Sequence, residues 1–123
     1  MPHRSWELRI VDIVDAIETV LDYTAGMTLE QFVTDRKTID AVVRNFIIIG
    51  ESASHLPEDF IEMHSDLPWR EMRDMRNLVV HEYFGVDNLV VWETLKKNLP
   101  PLLPFLKKLI TPLRNRRHNP NEP

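Results

Sequence analysis

Cysteine is absent from the 123 residues, so neither a disulfide nor a thiolate–zinc site is available, and nothing points to an oxidising compartment. Glycine is scarce: Gly26, Gly50 and Gly85 are too widely spaced to build a phosphate-cradling loop. No apolar run approaches the roughly 18 residues of a membrane span, and "FIIIG" with its neighbours is the longest. The opening segment, "MPHRSWELRIVDIVD", places acidic residues where a signal peptide has an uninterrupted apolar stretch. The expectation is a cytoplasmic chain with no membrane association. A positive charge excess is missing as well. The net charge of −4 argues against a bulk electrostatic binder of nucleic acid, but it leaves room for a local basic cleft. Lys96, Lys97, Lys107, Lys108, Arg114, Arg116 and Arg117 crowd the last third of the chain.

What is present is an ordinary globular composition, 43% hydrophobic and 28% charged, in a length that suits one domain. No segment alternates like a half-buried strand. Residues 5–24 carry Trp6, Ile10, Ile13, Val14, Ile17, Val20 and Leu21 at helical spacing, with Gly26 as a C-cap. Thr28 and Gln31 match a capping box opening a short second helix. A third helix, from Thr38 to Leu56, is apolar nearly all round through Phe46, Ile47, Ile48 and Ile49, which predicts a central position. Breaks at Pro57 and Pro68 leave one or two turns between them. A fourth main helix runs from about Pro68 to Val80 or His81, and a last one starts at Asn88 behind an Asp87 cap. Pro100, Pro101 and Pro104 predict a kink or restart near Leu99. The fold class is all-α, an antiparallel bundle of four to five helices over residues 1–113. Residues 114–123, "RNRRHNPNEP", read as a basic, flexible tail.

The fourth helix holds the chemistry. Projected at about 100° per residue, Met72, Met75, Leu78 and Val79 share a core-facing arc. Arg70, Arg73, Arg76, Asn77 and His81 share the opposite arc, with no carboxylate inside it. Trp69 and Val80 fall on that same polar face, where the projection offers them no core, so a covering partner is expected there. A basic stripe near a helix end also has a plain reading, because it complements the macrodipole and solvates the outer face. Arg76 and His81 stand about 140° apart on an ideal helix, so they meet only if the helix unwinds or a second protomer brings its own copy. Glu51, closing the apolar run, would need an arginine partner if buried, and could orient the basic stripe. Glu58, Glu62 and His64 read as a solvated face rather than a cation site. Histidines 3, 55, 64, 81 and 118 show no metal-ligand spacing. No metal and no cofactor are expected.

"MRNLVVHEYFGVD" contains Arg-x4-His-x-Tyr as Arg76, His81 and Tyr83, with Asn77 following the arginine. With "DRKTIDAVVRNFIIIGE", "PWR" and "VVWETLKKNLPPLL" in the same order, it resembles the HEPN superfamily, specifically its HepT-like toxin branch. The resemblance implies a short helical fold, homodimerisation around the motif helices and metal-independent endoribonuclease activity. It also implies a cognate nucleotidyltransferase antitoxin that silences the toxin by AMP transfer onto the motif tyrosine, here Tyr83. On that reading Arg76 and His81 are catalytic, Arg70, Arg73 and Asn77 bind the RNA substrate, and Tyr83 is the modification site. RNA supplies its own nucleophile in the 2′-OH. An imidazole can exchange protons near neutral pH, and a guanidinium forks onto phosphate oxygens as charge develops. The rival reading is a catalytically silent subunit that binds nucleotide or substrate for a nucleotidyltransferase. A plain dimerisation module is the third.

Overall fold

The apolar positions that recur every three or four residues near the N-terminus form α1, Trp6–Tyr23, which buries Ile10, Ile13, Val14, Ile17 and Val20 on one side. The computed structural model describes residues 5–83 and 88–118, with the side chains of 78–83 and 111–118 outside that description. Gly26 follows α1 with φ at +76°, a conformation that strains any residue bearing a Cβ. The capping box forms as the spacing predicts and opens α2, Leu29–Val33. Thr28 Oγ1 accepts from the Gln31 amide at 3.1 Å, and Gln31 Oε1 accepts from the Thr28 amide at 3.0 Å.

Helix α3, Arg36–Ser54, starts two residues earlier than the periodicity suggested, because Asp35 rather than Thr38 sets its first turn. Asp35 Oδ1 accepts from the Thr38 amide at 3.1 Å. That backbone bond, then the Thr38 hydroxyl, holds the Asp35 carboxyl below its ordinary value of 3.8. A depressed carboxyl stabilises the fold above its unfolded value, so this cap weakens only as pH falls through the lowered one.

Helix α4, Glu58–Met63, fills the gap between Pro57 and Pro68. Helix α5, Trp69–Tyr83, begins directly after Pro68, whose carbonyl accepts from the Met72 amide at 3.0 Å. The proposed Asp87 cap lies outside the described residues, and α6 occupies Asn88–Glu93. The three prolines have the expected effect. The backbone widens into a π turn over Thr94–Asn98, with the Leu99 amide donating to Thr94 O at 3.0 Å. It then tightens into a 3-10 turn over Pro100–Leu102 before α7, Leu103–His118. Pro100 and Pro101 lack the amide a regular helix would use, and their rings would strike the carbonyls of the turn before.

Four long helices, α1, α3, α5 and α7, therefore make the bundle, and the described residues contain no strand. Helix α3 is central, packed most extensively against α5 and α1, and α1 also packs on α7. Val42, Phe46, Ile49 and Ala53 meet the α1 stripe and Met72, Met75, Leu95, Leu99, Leu106 and Ile110 in one core. The near-complete burial expected for α3 has one gap: Ile47 faces outward, 41% exposed, while Ile48 is partly covered. Among the described residues no helix is long and apolar enough to cross a membrane.

Candidate active site

The polar face of α5 lies along its seam with α3, and Gly50 sets how close the two helices come. A Cβ at Gly50 would stand 3.0 Å from the Arg76 nitrogen, 3.1 Å from Arg76 Cβ and 3.2 Å from the Arg73 carbonyl. Glycine inside a helix costs roughly 1 kcal/mol against alanine, and here the close passage of a second backbone gives the reason for it. A glycine within "FIIIGE" is the sequence signal that marks such a contact.

Arg76, 46% exposed in its side chain, donates from Nη1 to Glu51 Oε1 at 3.1 Å. The predicted partnership of Glu51 with an arginine is thus real, but the carboxylate is half exposed rather than buried, and the arginine is the central one of the motif. Arg73 is held twice. Its Nε donates to the Ala53 carbonyl at 3.4 Å, and its Nη2 lies 3.5 Å from Glu58 Oε1. Glu58 is exposed, as a solvated face requires, yet it meets Arg73, and nothing in the local sequence relates it to a residue fifteen positions on. Arg70 and Asn77 are exposed, and Arg70 has no ion pair among the described residues. Arg73 and Arg76 therefore share one face with both guanidinium groups aimed by carboxylates from neighbouring helices. Each retains unused donors, since a guanidinium carries five.

Trp69 departs from the expected polar face. It is 3% exposed, stacked edge-on against Phe60 with centroids 5.9 Å apart, and its Nε1 donates to the His64 carbonyl at 2.8 Å. An ideal projection assumes one core side, but at its first turn α5 is covered by α4 as well. Phe60 also stacks on Trp6 at 4.7 Å and on His64 at 4.5 Å, forming an aromatic cap that gives Trp69 its burial within the chain. Trp69 thus gives no support to a covering partner. Val80, the other residue in that argument, lies outside the described side chains, as do those of His81 and Tyr83, Leu78 and Val79. The backbone of α5 is helical through Tyr83.

A shallow cleft on the other side of α5, lined by Met72, Met75, Lys97, Leu99, Pro101 and Leu102, contains none of the motif arginines. Among the described residues no group of His, Asp or Glu side chains is placed to hold a metal ion.

The sequence that builds this site has counterparts. The family described as "Ribonuclease HepT-like" matches residues 13–109. The chain belongs to the ribonuclease HepT-like family. A relative from Thermococcus cleftensis, named "Probable ribonuclease HepT", is 42% identical over 106 residues, covering 86% of this chain and 96% of its own. Two others carry provisional RNase names. The one from Caldanaerobacter subterraneus subsp. tengcongensis is 39% identical over 98 residues, covering 80% of this chain and 88% of its own. The one from Methanocaldococcus jannaschii is 33% identical over 119 residues, covering 97% and 98%. No solved structure matches the chain. In this HepT-like chain the matched region contains the whole of α5 and its contacts with Gly50, Glu51 and Glu58.

Proposed function

We propose that this protein is an endoribonuclease toxin that cuts RNA through the RNA's own 2′-OH, without a metal, leaving a 2′,3′-cyclic phosphate and a free 5′-OH. The observation that carries the reading is the pair Arg73 and Arg76, fixed on one exposed helix face by Glu58 and Glu51 within a HepT-like fold. In the reaction the 2′-oxygen attacks phosphorus and the bond to the 5′-oxygen breaks. His81 takes or returns a proton, Arg76 stabilises charge on the phosphorane, and Arg73, Asn77 and Arg70 hold flanking phosphates. The backbone of α5 is helical through Tyr83, and helix positions five apart stand about 140° apart, which supports a site built from two copies of the face. In such a homodimer the two faces line one cleft, with Arg76 of one protomer serving His81 of its partner.

In this reading Tyr83 is the control point. AMP transferred to its hydroxyl by a cognate nucleotidyltransferase antitoxin adds negative charge and bulk to a cleft shaped for RNA phosphate.

The test is RNA cleavage in EDTA by wild type, Arg76→Ala and His81→Ala, with product ends mapped. Wild type should cut, and both variants should lose at least about a hundredfold in rate while staying folded. Failure of well-folded, unmodified wild type to cut any cellular RNA pool would favour the silent binding subunit. Tyr83→Phe should cut RNA and escape the antitoxin; full neutralisation of that variant would refute the modification site.

A further inference from the structure

Residues of α3 and α5 pair in opposite directions along their seam. Ala53 lies level with Arg73, and Gly50 faces the backbone between Arg73 and Arg76, so moving back along α3 means moving forward along α5. Glu51 reaches Arg76 from one side of this seam. Seven residues earlier, Arg44 lies about 20° from Glu51 around the α3 axis and roughly 10.5 Å along it. The same step forward from Arg76 reaches Tyr83, the last residue of α5. Arg44 is therefore on the Arg76 side of α3, level with the end of α5 that carries His81 and Tyr83.

Its chemistry is uncommitted. Arg44 is exposed and has no ion pair or hydrogen bond among the described residues, whereas Arg73 and Arg76 are both held. The nearest carboxylate on its own helix, Asp40, is taken by Arg36 at 3.5 Å. Ile47, exposed between Arg44 and Glu51, leaves no acidic side chain on the strip that joins them.

We propose that Arg44 binds an RNA phosphate beside the scissile one, extending the guanidinium row of α5 onto α3. This rests on the ribonuclease reading of α5 but involves a residue outside the Arg-x4-His-x-Tyr motif. The test measures binding of a short single-stranded RNA with 2′-O-methyl sugars, which cannot be cut, across a salt series. Each phosphate contact on a single strand contributes roughly 0.7 to the slope of log affinity against log salt. Arg44→Ala should reduce that slope by about 0.7, and Arg44→Lys should largely restore it. Lys97→Ala removes the same charge from the cleft on the other side of α5, leaves the Arg36–Asp40 pair intact, and should leave the slope as in wild type. Equal slopes in Arg44→Ala and wild type, or equal losses in the Arg44 and Lys97 variants, would overturn the assignment. If Arg76→Ala weakens binding while Arg44→Ala does not, only the role of Arg44 fails. If wild type itself does not bind the RNA, the ribonuclease reading of α5 fails with it.

Discussion

In the proposed reaction Arg76, a long and half-exposed side chain, must present its charge at one place. Left alone it would sample many rotamers, and binding phosphate would then carry that ordering cost. Glu51 holds one edge of the guanidinium and leaves other donors for a substrate. An ion pair this exposed contributes little to folding, about 0–1 kcal/mol. Glu51→Ala should therefore shift the melting temperature only slightly, yet lower RNA cleavage on the order of tenfold, because small misplacements of a charge-stabilising group are costly. Glu51→Gln, which keeps an acceptor, should recover part of the loss. Cleavage rates and thermal melts of both variants check this, and a loss of stability matching the loss of activity would mean that Glu51 is merely structural.

At the scale of elements, the decisive contact is the crossing of α3 over α5 at Gly50. Three atoms of α5, two of them backbone, would lie within 3.2 Å of an added Cβ, so a branched side chain has no room without moving the helix that carries Arg73 and Arg76. Gly50→Val should destabilise the protein by roughly 1–3 kcal/mol, as overpacked cores do. It should also separate Arg76 from Glu51, so that cleavage falls further than in Glu51→Ala. Thermal denaturation followed by circular dichroism measures the first effect; an unchanged melting temperature would show that the crossing yields easily.

For the molecule as a whole, an acidic chain with a basic strip explains how a net charge of −4 is compatible with a polyanionic substrate. The strip borders an exposed Ile47, and positions 76 and 81 stand about 140° apart on an ideal helix, so the proposed reaction predicts a dimer as the active unit. Sedimentation should give twice the chain mass, and mixing Arg76→Ala with His81→Ala protomers should restore cleavage in the heterodimers, each of which retains one intact composite site. A monomer of full activity would refute this architecture.

Much of this was legible in the residues themselves. Helical spacing located the long helices, the Thr28–Gln31 pair announced its capping box, and Pro100 and Pro101 marked the break before α7, because each of these is decided within a few residues by backbone sterics and local hydrogen bonds. The motif named Arg76, and the apolar run before Glu51 raised the question of its partner. Three things were not legible. Trp69 is buried because α4 folds over the first turn of α5, Arg73 is aimed by Glu58 from a different helix, and Gly50 owes its place to the backbone of α5. All three depend on which helices meet and at what level. A helical wheel drawn for one segment contains no other segment, so only the packed bundle could decide them.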